Sequence, residues 1–181
     1  AFGPEDDVAL VIKEMGGNSF YRGQCATEAI SRLTNRADAP EVVYLQDDLS
    51  DRDMASVYRA CHCLVHPYRG EGFGLPVAEA AACGLPVVVT LGGATDDFVP
   101  PNAGYFVAAR RQGIKLNREL ATSGWVLEPD VSSLVAQMRK VVEDSGERRL
   151  RAERLAYHVR DMFSWDESAE AARFRIRALT G

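Results

Sequence analysis

The sequence has no long apolar run. None of its hydrophobic stretches approaches the roughly 20 consecutive apolar residues that a membrane-spanning helix needs, so we expect no transmembrane segment. No secretory signal peptide is visible either, although the sequence opens on Ala1 rather than on an initiator Met. These features predict a cytoplasmic location.

Cysteine is also scarce. The four cysteines are Cys25, Cys61, Cys63 and Cys83. The Cys61-His62-Cys63 triplet lacks a second pair at the spacing typical of zinc sites, and alternate residues at a helix-to-strand junction point apart. We therefore expect no metal site at this triplet, and we interpret the cysteines as small buried thiols in a reducing compartment.

Excess positive charge is absent as well. Against 26 Asp and Glu, the chain carries only 21 Lys and Arg, which gives a formal net charge of −5. This balance argues against a general nucleic-acid or membrane-surface role. What is present is an ordinary apolar content of 46% over 181 residues, which suits one folded domain, residues 1–181, with a real core.

Short apolar runs alternate with helical patterns along the chain. The predicted strands are residues 8–12, 42–45, 63–66, 87–90 and 104–108, and the predicted helices are residues 24–33, 51–60, 75–83, 147–162 and 166–179, with a further helix that starts after Asp130 or Ser132 and ends at Gly146. The alternation predicts an α/β, Rossmann-like fold, a parallel sheet with helices on both faces.

The sequence also predicts two local features, a helix cap and an irregular segment. Ser50 is a plausible N-cap for the helix 51–60, with Asp53 in its first turn. Residues 109–124 show no clear period and carry several charges, so we expect an irregular excursion there.

The most informative stretch is residues 69–90, RGEGFGLPVAEAAACGLPVVVT. A turn with Gly70, Gly72 and Gly74 follows an apolar strand and leads into an alanine-rich helix, which Gly84 ends. In a parallel sheet such a turn lies at the carboxyl edge of the strands, where ligands bind. Free N–H groups and the helix dipole make the start of the helix an anion site that suits phosphate.

Two acids frame this turn. Glu71 lies inside it, and Glu79 lies one to two helical turns further along. A carboxylate inside a phosphate-binding turn would repel phosphate at close range. The arrangement makes sense if both acids accept hydrogen bonds from hydroxyls, Glu71 from a sugar beyond the phosphates and Glu79 from a ribose.

At these residues the chain resembles the retaining glycosyltransferases of the group 1 (family 4) type, which have the GT-B fold. Their donor-binding motif is Glu-Gly-Phe-Gly-Leu-Pro followed by Glu. Here it reads from Glu71 to Pro76, followed by Glu79. The resemblance extends over nearly the whole chain, including the Phe163-Ser164-Trp165 corner, and it implies the C-terminal, nucleotide-sugar-binding half of such an enzyme.

The resemblance implies a role for each residue of the motif. Glu71 would hold hydroxyls of the donor sugar, residues 72–75 would present N–H groups to the donor, and Glu79 would hold the ribose. Lys13, at the end of the first strand, would offer a positive charge to the diphosphate, although a solvated lysine fits its position equally well. The candidate site is thus Glu71 as the catalytic residue, with Glu71, Gly72, Phe73, Gly74, Leu75, Glu79 and Lys13 binding the donor.

The family pattern also contains parts that this sequence does not show. The strand, the helix, and the Arg and Lys that hold the diphosphate in the family have no counterpart before Val8. The acceptor-binding N-terminal half is missing too. We therefore expect a piece of a larger enzyme. The resemblance implies that this enzyme transfers sugar to an acceptor hydroxyl without a metal or another cofactor.

Two alternatives stay open from the sequence. The first is a non-catalytic module that binds a nucleotide or a nucleotide-sugar. The second is an NAD-dependent Rossmann enzyme, which the glycine spacing disfavours because Gly70, Gly72 and Gly74 read G-x-G-x-G rather than G-x-G-x-x-G.

Overall fold

A computed structural model describes residues 1–14, 26–115 and 123–180. The chain divides into two compact units, residues 1–56 and residues 57–181. The predicted helix start at Gln24 lies outside the described residues, as does Cys25. The assignment of the whole chain to one nucleotide-sugar-binding domain stays a prediction.

The first unit is a small parallel α/β arrangement. Its elements are β1 (Ala9–Lys13), α1 (Thr27–Thr34), β2 (Glu41–Leu45) and the start of α2 (Asp51–Ala60). The two strands pair in parallel, with Ala9 opposite Glu41 and Lys13 opposite Leu45. Ser50 caps α2 as predicted, because its Oγ accepts a hydrogen bond of 3.2 Å from the N–H of Asp53.

The second unit carries the longer series of elements. They are β3 (Leu64–His66), α3 (Leu75–Ala82), β4 (Val87–Thr90), a short 3-10 helix (Ala94–Asp97), β5 (Tyr105–Val107), β6 (Ala109–Lys115), β7 (Ser123–Pro129), α4 (Val131–Glu143), α5 (Ser145–Met162) and α6 (Trp165–Thr180). The strands β3, β4 and β5 form a parallel sheet with β4 in the middle.

Helices cover both faces of this sheet, as the sequence predicts. All four residues of β4 are buried, and successive side chains point to opposite faces. Val87 and Val89 pack in one core cluster with residues of α3 and α5. Val88 packs on the opposite side in a second cluster that contains Val141 of α4.

The predicted helix 75–83 is confirmed. It runs from Leu75 to Ala82, with Cys83 as its C-cap. Gly84 follows with a φ of 86°. Its N–H donates to the carbonyl of Ala81 at 2.9 Å, and the N–H of Leu85 donates to that of Ala80, also at 2.9 Å. This pair of bonds is the Schellman motif, which closes a helix and favours glycine at that position.

The expectation of an irregular segment over residues 109–124 is wrong for the described residues. Strands β6 and β7 form an antiparallel hairpin, from Ala109 opposite Pro129 to Lys115 opposite Ser123. The sequence hides the hairpin because its charged, exposed positions break the alternation of apolar and polar residues. Its paired residues are close in sequence, but neither strand shows the period-two pattern by which a strand is predicted.

The predicted break at Gly146 is also wrong, by two residues. Asp144 ends α4, where its N–H donates to the carbonyl of Lys140 at 3.1 Å, and it starts α5, where its side chain accepts from the N–H of Glu147 at 2.9 Å. One capping aspartate therefore separates the helices, and Gly146 lies inside the first turn of α5. At the start of α4, Asp130 rather than Ser132 is the cap, since it accepts a 2.6 Å bond from the N–H of Ser133.

The helices of the second unit include α5, the longest described, which has many charged residues. In the described parts of the chain, no helix combines the length and the apolar character needed to cross a bilayer.

Candidate functional site

The site is built where β3 ends. After His66 the chain turns through residues 67–74 and enters α3. Because β3, β4 and β5 are parallel, the turn lies at the carboxyl edge of the sheet, next to the loop that follows Thr90 of β4. This edge is where ligands bind in open α/β sheets.

Gly74 is the glycine that the turn requires. It precedes α3 with a φ of 98°, a left-handed conformation that other residues rarely adopt. A Cβ there would also lie 2.9 Å from Cγ2 of Thr95. At Gly70 and Gly72 a Cβ would meet nothing within 4 Å, so these two positions leave open space beside the backbone.

The start of α3 has no side chain to satisfy its first N–H groups. Gly74 cannot form a side-chain cap, and Pro76 in the first turn has no N–H. The opening N–H groups of a helix usually lack intrahelical partners. Here the N–H of Val77 already donates to the carbonyl of Gly74 at 2.9 Å, so in the described structure the N–H of Leu75 is the remaining donor of the first turn. Its role toward an anionic ligand stays a prediction.

Glu71 turns its carboxylate back onto the turn. Its Oε1 accepts a 2.9 Å hydrogen bond from the N–H of Gly72, and its Oε2 lies 3.2 Å from Nε2 of His66. In this arrangement the N–H of Gly72 donates to Glu71, and its role as a donor to a ligand stays a prediction.

The Glu71 carboxyl is held in its charged form. Burial by itself raises its pKa, but hydrogen bonds from His66 and from the N–H groups of Gly72 and Phe73 outweigh burial, so the net pKa is lowered. Glu71 is thus an ionised hydrogen-bond acceptor at neutral pH, as a residue that binds hydroxyls requires.

Glu79 lies further along α3 and contacts a buried tyrosine. The hydroxyl of Tyr58 donates to Oε2 of Glu79 at 3.3 Å. Burial, and then the charge of Glu79, raise the pKa of Tyr58 well above its usual range, so this hydroxyl keeps its proton. Glu79 itself is exposed, which leaves its carboxylate accessible to a ligand.

The side chain of Phe73 anchors the turn. Its ring stacks on that of Phe98 with 4.9 Å between centroids, and both rings contact Phe163. The role of Phe73 in donor binding stays a prediction. The next predicted donor-binding residue, Leu75, has a side chain that is 63% exposed.

A buried polar network joins the turn to the loop after β4. The hydroxyl of Tyr68 lies 2.8 Å from Oγ1 of Thr95 and donates to the carbonyl of Thr90 at 3.2 Å. In return, Oγ1 of Thr90 donates to the carbonyl of Tyr68 at 2.7 Å. Since Thr95 also limits the space at Gly74, this network sets the position of the turn relative to β4.

Lys13 lies in the first unit, at the end of β1. Its Nζ donates to the backbone carbonyl of Glu14 at 2.6 Å. The other candidate residues, from Glu71 to Glu79, all lie in the second unit. The role of Lys13 toward a diphosphate stays a prediction.

The cysteines do not form a metal site in the described part of the chain. No group of three His, Cys, Asp or Glu residues there could hold a metal ion. Cys61, Cys63 and Cys83 are free thiols, and burial raises the pKa of Cys63 to about 12. Such a thiol is protonated and unreactive at neutral pH.

Sequence reasoning missed three residues of this site: His66, Tyr58 and Tyr68. His66 could have been found, because it ends a predicted strand on the ligand edge, directly before the glycine turn. The contacts of Tyr58 and Tyr68 join residues 21 to 27 positions apart, and no spacing rule connects them.

Comparisons with known proteins agree with the motif. The family model of the group 1 glycosyl transferases matches residues 22–144. The D-inositol 3-phosphate glycosyltransferase of Streptomyces bingchenggensis is 26% identical over 90% of this chain and 31% of its own length. The O-antigen chain mannosyltransferase B of Escherichia coli is 36% identical over 39% of this chain and 18% of its own length.

A solved structure shows the same fold. Sucrose-phosphate synthase from Thermosynechococcus elongatus superposes with a TM-score of 0.71 at 21% identity, over 94% of this chain and 38% of that one. The chain thus spans less than two fifths of the length of each of these three proteins. Since the family model matches more than half of the chain, we conclude that the chain belongs to the group 1 glycosyl transferases and has a GT-B type α/β fold.

Proposed function

We propose that the chain binds a nucleotide-sugar donor, as the C-terminal part of a retaining glycosyltransferase of the family 4 type that transfers sugar to an acceptor hydroxyl. The observation that carries this proposal is the placement of two carboxylates around an uncapped helix start. Glu71 lies in the turn before α3, and Glu79 lies on α3 itself. A donor has hydroxyls on both sides of its diphosphate, and this arrangement matches that order.

The division of roles follows from electrostatics. The ionised Glu71 would repel a phosphate at close range, whereas sugar hydroxyls donate to carboxylates. The diphosphate is better placed at the start of α3, where the N–H of Leu75 remains as a donor and the helix dipole favours negative charge. Glu79 then receives the ribose hydroxyls, and Lys13 is proposed to add a positive charge near the diphosphate.

The chemistry proposed is electrostatic. As the bond between sugar and diphosphate breaks, negative charge grows on the leaving phosphate. Preorganised N–H groups and cations stabilise that charge most where they need no rearrangement. No metal or cofactor is proposed to take part. The acceptor is proposed to bind to an N-terminal half of the protein, and the protein is proposed to act in the cytoplasm.

A thermal-shift panel on the full-length protein tests the proposal. The panel contains UDP-glucose, GDP-mannose and ADP-glucose, each with its free nucleoside diphosphate. One sugar donor should raise the melting temperature at millimolar concentration, since a ligand that binds only the native state stabilises it. NAD is the negative control. A panel in which NAD alone raises the melting temperature would contradict the proposal, and donor binding without any sugar transfer would favour the non-catalytic module.

A further inference from the structure

We propose that His66 is a positioning residue, which fixes the Glu71 carboxylate in the orientation that receives the donor sugar. This inference rests on the function proposed above and adds a specificity-determining contact to it. The observation that supports it is the distance of 3.2 Å between Nε2 of His66 and Oε2 of Glu71.

The carboxylate is held from two sides. The N–H of Gly72 donates to Oε1 at 2.9 Å, while the imidazole of His66 meets the other oxygen. Gly72 belongs to the same turn as Glu71, so it moves with it. His66 belongs to β3, where it lies opposite Val89 of the buried strand β4. The imidazole therefore ties the carboxylate to the sheet, which the turn alone does not do.

The direction of the hydrogen bond follows from the charge of Glu71. The lowered pKa keeps this carboxyl ionised at neutral pH, and an ionised carboxylate only accepts hydrogen bonds. Nε2 of His66 therefore carries the hydrogen and donates it. A side chain that replaces His66 preserves the contact only if it has an N–H at a similar distance from the backbone.

Glu71 keeps the capacity to bind a ligand while it is held. A carboxylate has about four lone-pair sites, and the contacts named for Glu71 come from His66 and the N–H groups of Gly72 and Phe73. Its side chain is 25% exposed, so a hydroxyl can reach the remaining site. Fixing the carboxylate before the donor arrives reduces the ordering cost of binding.

A purely structural role for His66 predicts different behaviour. The imidazole is 29% exposed, and its ring also contacts that of Tyr68, with 5.7 Å between centroids. A structural role alone predicts that loss of the imidazole lowers the melting temperature and weakens binding of the sugar donor and of the free diphosphate alike. A positioning role predicts a loss of affinity for the sugar donor and not for the diphosphate, because Glu71 is proposed to bind the sugar and not the nucleotide.

The experiment uses the full-length protein and the probe pair that the panel identifies, which is UDP-glucose with UDP, GDP-mannose with GDP or ADP-glucose with ADP. The variants are His66→Leu, which removes the donor, and His66→Gln, whose amide nitrogen lies at a length similar to Nε2. His66→Asn is too short to reach Glu71 and repeats the leucine test with a polar side chain. His62→Leu is the matched control, because His62 is an exposed histidine before the other end of β3.

We expect His66→Leu and His66→Asn to lose about tenfold in affinity for the sugar donor, the size of one hydrogen bond to a charged group. Their affinity for the free diphosphate should not change. His66→Gln should recover most of the loss, and His62→Leu should match the parent. In the background of Glu71→Gln, His66→Leu should cause little further loss, because the two residues act as one unit.

Two results would overturn the inference. Unchanged donor affinity in both His66→Leu and His66→Asn would show that the imidazole does not position Glu71. Equal losses for donor and free diphosphate would show a general effect on the turn. If Glu71→Gln itself leaves donor affinity unchanged, the proposed function fails, and this outcome is separate from the first two.

Discussion

At the scale of single residues, Tyr58 and Glu79 form a hydrogen-bonded pair in the candidate site, as His66 and Glu71 do. The 3.3 Å bond from the tyrosine hydroxyl holds an otherwise exposed carboxylate on α3. We expect Tyr58→Phe to weaken binding of the free nucleoside diphosphate several-fold, because a hydrogen bond contributes about 1 kcal/mol. Isothermal titration of the full-length protein measures this change.

Tyr105→Phe is the control for Tyr58→Phe. Among the described residues, the Tyr105 hydroxyl is buried without a hydrogen-bond partner. Its removal should leave affinity unchanged and should leave the melting temperature equal or higher, because an unpaired buried hydroxyl destabilises the fold. Unchanged diphosphate affinity in Tyr58→Phe would contradict the holding role of Tyr58.

Gly74 is the residue on which the geometry of the turn depends. We expect Gly74→Ala to lower the free energy of unfolding by about 1–3 kcal/mol, because the left-handed φ is strained for alanine and its Cβ would clash with Thr95. Gly72→Ala, at a position with open space, should change stability by much less. Urea denaturation of both variants checks the difference, and equal stability losses would contradict it.

At the scale of elements, the β6–β7 hairpin is an integral part of the second unit. Leu127 of β7 is 4% exposed and packs in the core cluster of α3 and β4. Its N–H donates to the carbonyl of Arg69 at 2.7 Å, and Glu128 pairs with Arg69 at 2.8 Å. The hairpin therefore contacts the segment that leads into the glycine turn.

We expect Leu127→Ala to lower the free energy of unfolding by about 2–5 kcal/mol, the usual cost of a cavity at a buried leucine. Trp125→Ala is the control on the same strand. Trp125 is the larger residue but is 52% exposed, and its main described contact is the guanidinium of Arg111, 4.3 Å from the ring centroid. A smaller loss at Leu127 than at Trp125, measured by urea denaturation, would show that the hairpin does not belong to the core.

Some of these elements could be predicted from the sequence alone and others could not. The helix 75–83 and the buried strand 87–90 could be predicted because glycine, proline and valine mark their ends and interiors locally. The hairpin could not, because neither of its strands shows the alternation of apolar and polar residues that predicts a strand. The boundary at Asp144 could not be predicted for a different reason. Asp144 caps both helices, but the neighbouring Gly146 is the residue that a sequence pattern indicates as a helix end.

The residues of the candidate site also differ in how well the sequence predicts them. Glu71, Glu79 and Gly74 were identified because a dense motif surrounds them. Their partners His66, Tyr58 and Thr95 were not identified, because each belongs to another element and reaches the motif only in the folded chain. A sequence motif thus identifies the residues that would meet the ligand, while the structure adds the residues that hold them.

At the scale of the whole molecule, the two acids at the turn are proposed to bind different parts of one donor. Glu71 is proposed to bind the sugar and Glu79 the ribose, so the two residues should respond differently to one pair of ligands. In Glu71→Gln and Glu79→Gln the amide keeps the shape of the side chain and one acceptor oxygen, and the fold should be preserved.

The most direct test titrates both variants of the full-length protein with the free nucleoside diphosphate and with the matching sugar donor. We predict that Glu79→Gln weakens binding of both ligands about tenfold or more, since a hydrogen bond to a charged group contributes about 1.5–3 kcal/mol. Glu71→Gln should weaken only the sugar donor by a similar factor. Equal losses for both ligands in Glu71→Gln would contradict the claim that this residue binds the sugar.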